Sequence, residues 1–221
     1  MISGRRYGRF DWFRRTGIGL DDAILDVGCG SGRLLARMAR DGFSELHGID
    51  PRLPDRGDRP GMVLTRVGPE QHSGRYRLVM AHHSFEHMHA PVEAFEAMSR
   101  LVDRKGFLLL RVPLADSWAG GHYAADWVQL DAPRHLHVPT RRSIEILAQR
   151  FGLRVVHVAD DSGPFQIWGS ELYQRGFSLS ESGRGGRHKL SLLERFAARW
   201  RARGLSRAGL GDQASFYLQR D

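Results

Sequence analysis

Residues 24–35, ILDVGCGSGRLL, constrain this chain more than any other stretch. Ile24, Leu25 and Val27 form an apolar run suited to a buried parallel strand. Gly28, Gly30 and Gly32 follow at alternate positions, and Leu34, Leu35, Met38 and Ala39 then recur at helical spacing. The segment therefore reads as strand, glycine turn, helix. Glycine reaches positive φ and lets a ligand approach bare backbone. The helix start adds unpaired N–H groups and a partial positive charge. The turn is not the dinucleotide fingerprint G-x-G-x-x-G, because Arg33 stands where its last glycine would fall.

The order Asp26-Val27-Gly28-Cys29-Gly30-Ser31-Gly32 resembles the first motif of class I S-adenosylmethionine-dependent methyltransferases. The resemblance implies an α/β fold, a doubly wound, mostly parallel seven-stranded Rossmann-like sheet with an antiparallel last strand. It implies S-adenosyl-L-methionine as cofactor, with Asp26 near its methionine part and Gly28, Cys29, Gly30 and Gly32 lining its seat. Residues 46–49 read as the second strand, ended by Asp50-Pro51. A carboxylate at that strand end can accept both ribose hydroxyls, the role the resemblance gives to Asp50, with Pro51 beside it. The alternative is an Asp that caps the turn before Pro51. Residues 62–67 read as a short third strand. Gly68 and Glu70 follow it, where the family holds the adenine, although the usual Gly-Asp turn is displaced here. Cys29 is the single cysteine; it excludes an intrachain disulfide and reads as a packing residue inside the turn.

A fourth strand, 77–81, runs into His82-His83-Ser84-Phe85-Glu86-His87-Met88-His89. Ligands bind at the carboxyl ends of parallel strands. The histidine spacing matches no zinc pattern such as H-E-x-x-H and no second cysteine exists, so no metal is expected. The segment resembles the S-x-x-E-H run that follows the fourth strand in the same family. That resemblance turns His82 and His83 toward cofactor or acceptor and makes His87 a base or a support. Residues 91–102 read as a helix with a stripe of Val92, Phe95, Met98 and Leu101, and 107–112 as the fifth strand.

Residues 113–139 carry Trp118, Tyr123, Trp127, Asp131, His135 and His137 with no long period. Such a mixture over a sheet edge reads as a substrate cap; a packed Ω-loop is the alternative. Asp131-Ala-Pro-Arg-His135-Leu-His137 resembles the D-x-P-x-H-x-H segment of ubiquinone-type and surface-polysaccharide methyltransferases, and the likeness extends over 20–221. It implies a small-molecule or glycan acceptor. His135, His137 or His87 would serve as base, with Asp131 orienting it. Two-residue spacing on an extended chain puts His135 and His137 on one face. Histidine titrates near neutrality, which suits removal of a proton from a hydroxyl acceptor.

Thr140 reads as the N-cap of a helix over 141–150, and 153–158 as the sixth strand. Residues 160–210 are an insertion before the last strand, 213–218, which is expected beside the fifth. In it Leu190, Leu193, Phe196, Ala197 and Trp200 form an apolar stripe flanked by arginines. Packing against the domain is the first reading. A homodimer face or a peripheral membrane contact through 189–203 are the others. Before the first strand, Tyr7, Phe10, Trp12 and Phe13 suggest a short helix over 8–16 near the cofactor mouth. The whole chain, 1–221, reads as one domain.

Lys and Arg number 33 against 25 Asp and Glu, a net charge of +8. That excess suits an acidic substrate, nucleic acid or a membrane surface. No RNA-binding module and no N-P-P-Y-like amine-methylating motif is visible. An RNA-directed methyltransferase and a non-catalytic S-adenosylmethionine-binding subunit are therefore kept as alternatives. With no long apolar run, no signal-like start and one cysteine, a cytoplasmic monomer or homodimer is expected.

Overall fold

The computed structural model describes residues 11–53, 61–178 and 190–221. Seven strands form one sheet: β1 (Ile24–Val27), β2 (Leu46–Ile49), β3 (Val63–Thr65), β4 (Tyr76–His82), β5 (Val102–Pro113), β6 (Leu153–Asp160) and β7 (Gln213–Arg220). Their order is β3-β2-β1-β4-β5-β7-β6. The first five strands run parallel, and β7 lies antiparallel between β5 and β6. The helices are α1 (Arg33–Arg40), α2 (Pro91–Leu101), α3 (Trp118–Tyr123), α4 (Arg141–Arg150), α5 (Phe165–Gln174) and α6 (Leu192–Arg207).

The apolar strands sort by their period of two. Leu25, Val27, Val79, Ala81, Leu108 and Leu110 face Phe95 and Met98 of α2 and Ile144 and Ala148 of α4. Ile24, Leu78, Met80 and Leu109 face Leu35 and Met38 of α1. Both faces are covered, which is why these strands read as continuous apolar runs without alternation. α4 starts where expected: Thr140 Oγ1 accepts from Ser143 N at 3.1 Å and Ser143 Oγ accepts from Thr140 N at 3.0 Å. Such a cap stabilises a helix by about 1 kcal/mol.

Three elements differ from the sequence reading. β5 begins at Val102 rather than 107: Val102 pairs with Tyr76 and Phe107 with Leu78, so the residues between bulge outward. At the N-terminus a 3₁₀ turn, Asp11–Arg15, replaces the described part of the expected helix; Tyr7 and Phe10 lie outside the described residues. Phe13 is fully buried and its ring meets that of Phe43 at 5.4 Å. Phe43 precedes β2, so this segment closes the amino side of the α1 layer, not the carboxyl edge of the sheet.

The third difference is the stripe on α6. Leu193, Phe196 and Trp200 are 81%, 70% and 79% exposed. The opposite face is the packed one: Ala198, Ala202 and Leu205 meet Ile167 of α5 and Ala119, Tyr123 and Trp127 of the cap. Alanine allows close approach of two helices, and that fit outweighs the larger apolar area on the other side. The cap aromatics are likewise core residues, with Tyr123 and Trp127 buried. No helix among the described residues is long and apolar enough to cross a membrane.

Two substitutions check this packing by urea denaturation. Phe216→Ala, in the centre of β7, should cost about 3–5 kcal/mol of stability. Trp200→Ala, on the open face of α6, should stay within about 0.5 kcal/mol of the parent.

Candidate functional site

The turn after β1 holds Gly28, Gly30 and Gly32 at φ of 75°, 56° and 71°. Gly28 is required twice over. A Cβ there would lie 2.3 Å from Cβ of Ser84, which donates its hydroxyl to the Val27 carbonyl at 2.7 Å. Gly28 N and Cys29 N both donate to the Ile49 carbonyl, at 2.8 and 3.1 Å, which binds the turn to the end of β2. Gly30 N donates to Asp50 Oδ2 at 2.9 Å, and Arg52 N donates to Asp50 Oδ1 at 2.7 Å. Asp50 thus caps its own turn and also reaches the glycine turn. Among the described residues a Cβ at Gly30 would meet nothing within 4 Å, so bare backbone stands open beside a half-buried carboxylate.

Burial, and then the Asp50 charge, push the Asp26 carboxyl up to about 8. Burial, with Asp26 and Asp50 adding to it, pushes the Cys29 thiol up to about 12, so it sits in the turn as a packed thiol. Pro51 is exposed. Gly68 is buried and donates its N–H to Gln71 Oε1 at 3.3 Å, while Glu70 is exposed.

The second half of the site follows β4. Burial, then Arg111 and His83, hold the His82 imidazole down to about 3. His83 takes φ of 51°, in the left-handed region. Its Nε2 accepts from Arg111 Nη1 at 2.8 Å, and Arg111 Nε donates to Asp161 Oδ2 at 2.6 Å. His83 Nδ1 lies 3.3 Å from Glu86 Oε1. Glu86 is fully buried, and among the described residues neither of its carboxylate oxygens makes a hydrogen bond.

The cap returns over this segment. Asp131, at φ of 42°, starts a turn in which Arg134 N and His135 N donate to its carbonyl. Its carboxylate is held mainly by the Arg134 guanidinium. His135 Nδ1 donates to the Gln129 carbonyl at 2.7 Å, and its Nε2 lies 3.9 Å from Glu86 Oε1 and 3.8 Å from Asp131 Oδ2. His87 Nδ1 donates to the Arg134 carbonyl at 2.8 Å, and the His87 and His135 rings stand 4.9 Å apart. His137 faces Phe85 instead, edge to ring at 4.9 Å, and burial lowers its pKa. Glu86, His87 and His135 therefore form one cluster although they come from two distant segments. Arg111 and Asp161 went unnoticed in the sequence; a charged residue near the carboxyl end of a buried strand was the only signal for Arg111.

A family profile described as a methyltransferase domain matches residues 4–158. No curated protein matches the chain in sequence. Solved structures do match in fold. Mycolic acid cyclopropane synthase CmaA1, complexed with SAH and CTAB, is 17% identical with a TM-score of 0.60, over 96% of this chain and 83% of that one. An S-adenosylmethionine-dependent methyltransferase from Mesorhizobium loti is 14% identical with a TM-score of 0.61, over 98% and 99%. Magnesium protoporphyrin IX methyltransferase from Synechocystis PCC 6803, with bound SAH, is 13% identical with a TM-score of 0.60, over 98% and 82%.

Asp26 makes stability depend on pH. In the unfolded chain its carboxyl ionises near 3.8; in the fold it keeps its proton to about 8. The folded state binds more protons in that window, so the Asp26 contribution to stability falls as pH rises through it. Asp26→Asn should flatten this decline, as read from urea midpoints between pH 5 and 8.

Proposed function

Because the chain belongs to the methyltransferase-domain family, we propose that it methylates a hydroxyl of a small molecule or glycan, with S-adenosylmethionine as donor. The observation that carries this reading is the Asp50 carboxylate fixed on Gly30 N–H beside open, left-handed glycine backbone. The residues fit that cofactor. Each Asp50 oxygen keeps a lone pair beyond the backbone bond it already accepts, enough for a ribose diol. The bare backbone of Gly28 to Gly32 leaves room for an adenosyl-amino acid, with Asp26 beneath it. Gly68 and Glu70, on the loop after β3, are assigned to the adenine side. S-adenosylmethionine supplies a methyl group already electrophilic on sulfonium.

What remains for the chain is to hold the acceptor, exclude water and take a proton. We assign the proton to the His87–His135 pair. Each ring spends Nδ1–H on a backbone carbonyl, which leaves Nε2 as the basic atom. His135 carries a side chain only 7% exposed, and His87 is partly exposed. Glu86 supports the imidazolium that forms. Asp131 fixes the cap turn through Arg134 and lies close enough to His135 to share that charge. His83, tied to Arg111, positions Glu86, and His137 packs on Phe85. Calorimetry with S-adenosylmethionine tests the cofactor half: Asp50→Ala should lose roughly 1.5–3 kcal/mol of binding. Turnover on hydroxyl acceptors tests the rest. His87→Ala should lower kcat by about 10²–10⁴ with cofactor affinity unchanged; tight NAD binding with no S-adenosylmethionine binding would sink the reading.

The open face of α6 supports a peripheral contact with an anionic lipid surface. Leu192, Leu193, Phe196 and Trp200 are exposed, and Arg199 and Arg203 lie one helical turn along from Phe196 and Trp200. The one acid of the helix, Glu194, is engaged by Arg175 at 2.6 Å. The protein should pellet with phosphatidylglycerol vesicles and far less with phosphatidylcholine vesicles, and Phe196→Asp/Trp200→Asp should abolish pelleting. A salt-insensitive dimer in ultracentrifugation that vanishes in the same variant would replace lipid by a second copy.

A further inference from the structure

We infer that Glu86, His87 and His135 form a binding site for a divalent first-row transition-metal ion. Three observations converge. The first is the Glu86 carboxylate, fully buried, with neither oxygen hydrogen-bonded among the described residues and only the His83 and His135 imidazoles beside Oε1, at 3.3 and 3.9 Å. A buried carboxylate left so is costly unless a cation offsets it. The second is the state of the two imidazoles. His87 Nδ1 and His135 Nδ1 are each locked onto a backbone carbonyl, at 2.8 and 2.7 Å. Such outer bonds fix the tautomer and aim the Nε2 lone pair, as they do in metal-ligating histidines. The third is convergence: one ligand atom from each of the three residues falls within 4.8 Å of the others.

The chemistry of the donor set selects the ion. Two imidazole nitrogens and one carboxylate suit Zn²⁺, Fe²⁺, Mn²⁺ or Co²⁺. Magnesium and calcium favour all-oxygen shells. Bond lengths near 2.1 Å bring tetrahedral donors to about 3.4 Å apart, so the three side chains must draw in by about 1 Å. His87 is partly exposed, and a pivot about its Nδ1–H bond to the Arg134 carbonyl would bring Nε2 inward. Three protein donors leave a coordination position open, as catalytic rather than structural sites do. Asp131 Oδ2, 3.8 Å from His135 Nε2, is the nearest further acid.

The consequence keeps the methyl transfer of the proposed function, on which it rests in that part only, and replaces the His87–His135 pair as the direct proton acceptor. With an ion bound, both Nε2 atoms are ligands. An acceptor hydroxyl at the open position would have its pKa lowered by the ion and would pass its proton to the nearby Asp131 carboxylate, 3.8 Å from His135 Nε2, instead of to an imidazole.

The probe is Co²⁺ added to metal-free, tag-free protein, read by its visible d–d absorption. One saturable site that Zn²⁺ displaces is expected. Glu86→Gln and His87→Ala should each weaken Co²⁺ at least tenfold while S-adenosylhomocysteine binding, the check on folding, is kept. If Glu86→Gln fails to fold, the half-exposed His87→Ala still decides. No Co²⁺ spectrum from the parent protein overturns the site. So does unchanged affinity in both variants, which would move the ion to other histidines. Co²⁺ binding without S-adenosylhomocysteine binding would keep the metal and sink the methyltransferase reading. Chelator-resistant turnover by a protein that binds no Co²⁺ would do the reverse.

Discussion

The strand order reverses between β1 and β4, and one contact closes that point: the Ser84 hydroxyl on the Val27 carbonyl, with no Cβ on Gly28 to keep them apart. In an open parallel sheet the crevice at such a reversal is where ligands bind. Here the crevice is pinned from three strand ends. Gly28 and Cys29 reach across to β2 through the Ile49 carbonyl, Gly30 reaches Asp50, and Ser84 belongs to the segment leaving β4. Glu86 and His87 come directly after it in the next short turn. A side chain at position 28 would therefore disturb the glycine turn and the histidine cluster together.

Two buried acids stand on either side of this crevice and are handled differently. Asp26, at the end of β1, is kept protonated by burial and by its neighbour Asp50. Glu86 is surrounded by imidazoles, with His83 and His135 nitrogens 3.3 and 3.9 Å from one oxygen. Each of those rings is held by something outside the cluster, Arg111 for His83 and the Gln129 carbonyl for His135. The polar groups are thus positioned from both layers of the molecule, the sheet end and the cap.

What could be read in the sequence was what local chemistry decides. The left-handed glycines, Asp50 at a strand end before Pro51, and the Thr140 cap each depend on residues within one turn. The meeting of His135 with Glu86 and His87 depends instead on a turn at Asp131 that folds the cap back across the sheet edge, and no spacing rule encodes it. The histidine spacing along the chain therefore gives no sign of that meeting. The α6 face was misread for a related reason. Apolar area pointed to Phe196 and Trp200, but shape decided, and the small Ala198 and Ala202 fit against α5. The start of β5 was hidden because its first residues bulge away from β4.

The third apolar cluster has no member on any strand: Ala119, Tyr123, Trp127, Ile167, Ala198 and Ala202 come from the cap, α5 and α6. Polar links tie it to the segment that leads into β7, such as Trp127 Nε1 on Asp212 at 3.4 Å and Trp118 N on the Leu210 carbonyl at 3.1 Å. A packet with its own core and a thin seam behaves as a separate cooperative unit. Its amides should exchange with solvent through a shared sub-global opening, at lower free energy than those of β4 and β5. His135 lies on the same cap, so an opening of this packet would draw it away from Glu86 and His87, and one motion would both expose and disassemble the cluster.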